Sequence, residues 1–198
     1  MKKYIPIGTA VLVAINIILF FIVEFTSPAG SEDMEHMIAF GAMYSPKFFE
    51  EGQYYRLFTE MFLHFGAAHV FNNMLALWFI GGEVEKRYGT FWYLCIYILS
   101  GLTAGAASLA YHTYIGEEPV SAGASGAIFG IVGALFYLMV KNWKKAGGYH
   151  VRRMILFLFF SAGAAYFSVG IDWMAHLAGF LGGFLLGVIL KVDGGTRR

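Results

Sequence analysis

Charge is scarce in this chain. Only 14% of its 198 residues are Asp, Glu, Lys or Arg, where a soluble domain averages about 25%. The net charge is +1, and no basic patch alternates with aromatics on a polar face, so no nucleic-acid partner is expected. One cysteine, Cys95, lies inside an apolar run. It can form no disulfide within the chain and no cysteine metal cluster, and it reads as a small core hydrophobe. Repeats at a solenoid period and low-complexity linkers are also lacking, which argues for one domain over residues 1–198.

In place of charge the chain has 58% hydrophobic residues, gathered in blocks of about 20, the length a helix needs to cross about 30 Å of hydrocarbon. The blocks predict an all-α membrane protein with six spans, at about 4–26, 68–84, 90–112, 121–140, 153–170 and 173–191. Of the 14 Lys and Arg, only Lys47 and Arg56 fall outside the set formed by the N-terminus, the ends of spans two, four and six, and the start of span five. That bias puts both termini in the cytoplasm and the 27–67 segment outside. "MKK" and a small-x-small "SPA" give the first span some features of a signal peptide, but its apolar stretch is longer than such signals carry, and it is read as a retained span. The 27–67 segment is acidic early (Glu32, Asp33, Glu35) and aromatic later (Phe48, Phe49, Tyr54, Tyr55, Phe58, Phe62, Phe65). That pattern suits a loop lying in the outer interface of the bilayer.

Polar side chains inside the spans are few, and burying them is costly unless they have a task. His69 and Asn73 lie in span two, Ser125 in span four and His176 in span six. Counting back to the cytoplasmic charges at about 1.5 Å per residue puts Ser125 about 24 Å deep, His176 about 22 Å, Asn73 about 20 Å and His69 about 25 Å. All four share one level in the outer half of the bilayer. Each alone has a plain structural use: Ser125 sits in the small-xxx-small row Ala122, Gly126, Gly130, which serves helix packing. Together they suit acyl transfer. A histidine can take the serine proton near neutral pH. Gly179 and Gly183, at i+3 and i+7 from His176, would let spans six and four approach closely. His69 and Asn73, four apart on one helical face, with free N–H groups at the loose start of span four, could donate to an oxyanion. Asp172, one turn before His176, reads as the N-cap of span six rather than a third catalytic member.

"HFGAAHVFNN", "GASG" and "AHLAGFLGG", in that order and in spans two, four and six, resemble the rhomboid family of intramembrane serine proteases over nearly the whole chain. The resemblance implies a six-helix transmembrane bundle of the rhomboid type, with a long outward-facing first loop. It implies Ser125 as nucleophile and His176 as general base and acid, a dyad without an aspartate. His69 and Asn73 match the family's oxyanion positions, with Gly123, Gly126, Phe129, Gly179 and Gly183 in support. His64, Arg56 and Glu85 with Arg87 match scaffold positions. Tyr55-Arg56 stands where the family often has Trp-Arg, and Phe129 where it often has a tyrosine stacked on the histidine. No metal or cofactor is implied. The expected partners are single-span or multi-span membrane proteins cleaved near the outer interface, in the plasma membrane of a bacterium, with the short span five as a lateral gate. Two other classes remain in view: a non-proteolytic relative that escorts membrane clients, and a transporter with a histidine proton relay. The first has no need of Ser125, His176 and Asn73 together. The second lacks buried acids at span centres and an inverted repeat.

Overall fold

The structure, a computed structural model, describes residues 4–142 and 172–191. Nearly all ordered backbone in these residues is helical, and the one β-type contact is an isolated antiparallel bridge between Met43 and Ser121. Among the described residues three helices are long and apolar enough to cross a membrane: α1 (Ile7–Phe25), and two that are numbered below in chain order, Thr90–Ile115 and Trp173–Leu190. The chain is an integral membrane protein. Span five, expected at 153–170, lies outside the described residues.

α1 has no acidic residue in its first turn and no side-chain cap, so its N-terminal N–H groups need acceptors from elsewhere. Glu85 supplies them. Its carboxylate is fully buried. One oxygen accepts from Gly8 N at 2.8 Å and Thr90 Oγ1 at 2.7 Å, and the other from Thr9 N and Thr9 Oγ1, both at 2.8 Å. A negative group at a helix N-terminus also complements the helix dipole. The far end of α1 is tied just as specifically: Glu24 accepts from Ser31 N and Oγ, and Ser31 Oγ in turn accepts from Gly66 N at 3.2 Å.

The first loop folds into three short helices, α2 (Met34–Phe40), α3 (Ser45–Phe49) and α4 (Arg56–Thr59), followed by a 3-10 turn at Glu60–Phe62. Asp33 caps α2 by accepting from His36 N at 2.8 Å, and Gly41, at φ 101°, ends it in the left-handed region. The buried Arg56 guanidinium holds the loop together. It donates to the carbonyls of Ile38 (2.8 Å) and Ala42 (2.6 Å) and to Gln53 Oε1. Phe49, Tyr54, Tyr55 and Phe58 stay exposed on the loop's outside.

α5 (Gly66–Ala76) passes through a π turn at Leu77–Gly81 into α6 (Gly82–Tyr88), so span two is one helix with a widened middle. α7 (Thr90–Ile115), α8 (Ser125–Lys141) and α9 (Trp173–Leu190) form the packed heart of the molecule. Small residues fix their separation. A Cβ built on Gly179 would stand 2.1 Å from Gly126 O, and one on Gly183 1.8 Å from Gly130 O, so the α8 and α9 backbones touch. α8 begins four residues later than the apolar run suggests. Ser121 is drawn into its bridge with Met43, and Gly123 takes φ 150°, a conformation that favours glycine and keeps the helix from starting earlier.

Candidate active site

Ser125 is the first residue of α8 and His176 lies in the first turn of α9. Their side chains meet: His176 Nε2 is 3.0 Å from Ser125 Oγ. For the hydroxyl to donate along that line the imidazole proton must reside on Nδ1, which is buried and has no hydrogen-bond partner among the described residues. The Phe129 ring stacks on the imidazole with centroids 4.2 Å apart and planes 12° apart. The ring is thus held by packing, without a carboxylate on its second nitrogen.

Asp172 is occupied elsewhere. Its Oδ1 accepts from Ala175 N at 2.9 Å, capping α9, and its Oδ2 accepts from Ser108 Oγ of α7. The cap fixes where α9 starts and therefore where His176 stands.

α5 carries His69 and Asn73 to the same region, and His64 reaches it from the connection just before α5. His69 faces Gly123, where an added Cβ would lie 2.9 Å from the imidazole Cε1 and 3.8 Å from Ser125 Oγ. Gly123 is therefore the gap between His69 and the serine. Asn73, one helical turn further on, is buried, and its Nδ2 has no partner among the described residues. An unpaired buried amide donor is costly unless something comes to accept from it. His64 stands edge-on to His69, centroids 5.1 Å apart, and its Nε2 accepts from Ala124 N at 3.4 Å. Burial, with His69 adding to it, pushes His64 down to about 3, so this ring is neutral and able to accept. Arg56 and Glu85 hold the first loop and α1, away from Ser125.

The free N–H groups expected around Ser125 are fewer than the sequence suggests. Gly123 N donates to Glu60 O at 2.9 Å and Ala124 N to His64. What remains are the first N–H groups of α8 itself, from Ser125 onward, which have no intrahelical acceptor. Beside Ser125 lies a cavity of about 50 Å³ whose polar lining comes from Glu60, Ser108, Ser121 and Asp172. That is room for ordered water. Glu60, Ser108 and Ser121 are the members of the site not singled out from sequence. The signal for Glu60 was an acid in a mostly apolar stretch, four residues from both Arg56 and His64.

A Rhomboid domain family model matches residues 51–192. The chain is 36% identical over 185 residues to Rhomboid protease GluP of Bacillus subtilis, across 93% of this chain and 35% of that protein. It is 37% identical over 145 residues to RHOMBOID-like protein 5 of Arabidopsis thaliana, across 71% of this chain and 45% of that one. It is 32% identical over 137 residues to Putative rhomboid protease YdcA of Bacillus subtilis, across 68% of this chain and 66% of that protein. The chain thus spans about a third of GluP and under half of RHOMBOID-like protein 5. With the family model covering well over half of its length, from the first loop to the end of α9, this chain belongs to the rhomboid family.

Proposed function

We propose that the chain is a serine endopeptidase that cleaves transmembrane segments of other membrane proteins near the outer interface, through a Ser125–His176 dyad. The observation that carries the reading is the 3.0 Å approach of His176 Nε2 to Ser125 Oγ, held by glycine contacts and the Phe129 stack. His176 takes the hydroxyl proton as Ser125 Oγ attacks the scissile carbonyl, then gives that proton to the leaving amine, so the peptide C–N bond breaks and an acyl-enzyme forms. Water, deprotonated by His176, releases the acyl group and restores the serine. Asn73 Nδ2, His69 and the first N–H of α8 donate to the oxyanion.

Six spans forming one domain, with both termini in the cytoplasm, put this site in the outer half of a bacterial plasma membrane. The distribution of Lys and Arg supports that orientation. The exposed aromatics of the first loop suit the outer interface, where water for deacylation is at hand. Substrates, of one span or several, enter from the lipid beside span five. Purified wild type and Ser125→Ala, each incubated with a single-span substrate in liposomes, test the reading. Cleavage by wild type alone is expected, and equal cleavage by both would end it.

A further inference from the structure

Glu60 is a buried acid that the dyad leaves without a task. It opens the 3-10 turn after α4 and is 6% exposed. It meets the segment before Ser125 at two points, one through its main chain and one through its side chain. Its main-chain carbonyl accepts from Gly123 N at 2.9 Å, and its Oε2 accepts from Ser121 Oγ at 3.3 Å. Its Oε1 is turned toward α7, where Gly105 leaves it space; a Cβ there would collide with the carboxyl.

No cation among the described residues is paired with this carboxyl. Arg56, one turn earlier, spends its donors on Gln53 and the carbonyls of Ile38 and Ala42. His64 is neutral and bonded to Ala124 N, and His69 faces Gly123. The polar side chains that share the cavity with Glu60 are Asp172 before α9, Ser108 from α7, Ser121 from the segment before α8 and Ser125 itself. An ionised carboxylate here would be buried without a counter-charge and near a second acid. Burial pushes Glu60 up to about 8, the Ser121 bond opposing and the Asp172 charge adding.

We propose that Glu60, through its side chain as a neutral carboxylic acid, is a positioning residue for the reaction: it holds Ser121, two residues before Gly123, and so supports the gap between His69 and Ser125 that the main-chain bond from Gly123 N to Glu60 O defines. Ionisation leaves a buried carboxylate without a counter-charge near Asp172, draws water into the cavity beside Ser125 and so disturbs the packing there and lowers turnover. The proposal rests on the serine-protease reading of Ser125 and His176. It makes activity fall on the alkaline side, and glutamine, a neutral isostere, removes that fall.

The test is kcat and KM against pH from 6 to 9.5 for wild type, Glu60→Gln and Glu60→Ala in liposomes, with fluorophosphonate labelling of Ser125 alongside. Expected are a wild-type kcat that drops at least tenfold with its midpoint near pH 8, a flat profile for Glu60→Gln at near wild-type rate, and a low kcat with little-changed KM for Glu60→Ala. An alkaline fall that persists in Glu60→Gln, a wild type flat to pH 9.5, or a glutamine variant as poor as alanine would overturn it. Absent cleavage and absent label in wild type would fall on the serine-protease reading instead. The proton on Glu60 is then decided by thermal unfolding. The native acid keeps its proton up to about 8 while the unfolded one loses it near 4.5, so wild-type stability declines as pH rises through that window. Glu60→Gln flattens the decline if Glu60 is neutral in the fold, and an unchanged slope overturns the proposal.

Discussion

Replacing Gly179 with alanine adds one methyl group where α9 meets α8. That Cβ would stand 2.1 Å from Gly126 O, while C···O contacts settle at about 3.3–3.6 Å. The helices must part by about 1.2 Å or more to reach that range. Gly179 is three residues from His176, about 4.5 Å along the helix, so most of the displacement reaches the imidazole. The 3.0 Å Ser125–His176 distance then opens to about 4 Å, beyond the roughly 2.6–3.2 Å over which a general base works. The expected loss in kcat is about 10²- to 10⁴-fold, the usual contribution of general acid–base catalysis, with about 1–3 kcal/mol of overpacking on stability. Gly182→Ala is the matched control, because its Cβ would meet Thr103 at 3.4 Å, an ordinary contact. The assay is kcat on a single-span substrate in liposomes for both variants, with thermal melts to show that each is folded. Gly179→Ala within twofold of wild type would refute the idea that backbone contact between α8 and α9 sets the dyad.

Other predictions concern the groups around that seam. Asn73→Ala should lower kcat/KM by about 2.7–4 kcal/mol if its amide donates to the oxyanion; an unchanged rate removes it from the mechanism. Glu85→Ala leaves Gly8 N, Thr9 N, Thr9 Oγ1 and Thr90 Oγ1 without their acceptor. At about 1–3 kcal/mol for each buried donor left unsatisfied, with water recovering part, it should cost about 3 kcal/mol or more. Denaturant unfolding measures this, and a loss under about 0.5 kcal/mol would be too small for an unsatisfied cap. His64, neutral in the fold down to about 3, protonates near 6.5 when unfolded. Its contribution is complete above that value and is lost as pH falls toward 3. His64→Gln should therefore weaken the acid-side loss of stability seen in wild type between pH 6.5 and 4, and an identical acid slope would contradict a neutral His64.

Much of this architecture is written in the apolar runs. α1, α7 and α9 are legible because a bilayer demands long uninterrupted blocks, and no other context in this chain produces them. Depth counting put Ser125 and His176 at one level, since the α-helical rise per residue is fixed, and in the structure their side chains meet. The π turn at Leu77–Gly81 was not legible, since a change of hydrogen-bond register leaves no mark on apolar periodicity. The short helices of the first loop were also hidden. Each is under two turns, and what holds them, Arg56 on distant carbonyls and Ser31 between Glu24 and Gly66, is tertiary. The late start of α8 depends on Met43, far away in sequence. Glu60 escaped for a related reason: the i,i+4 spacing suggests a pair with Arg56, and in the structure the arginine is engaged elsewhere.

The central claim is that Ser125 is a nucleophile activated by His176. Its most direct test is the adduct itself: wild type, Ser125→Ala and His176→Ala, each folded in detergent, are treated with a fluorophosphonate and digested for mass spectrometry. The account predicts phosphonylation on the Ser125 peptide of wild type, none in Ser125→Ala, and strongly slowed labelling in His176→Ala. A label that survives in Ser125→Ala, or labelling of Ser125 at an undiminished rate without His176, would contradict it.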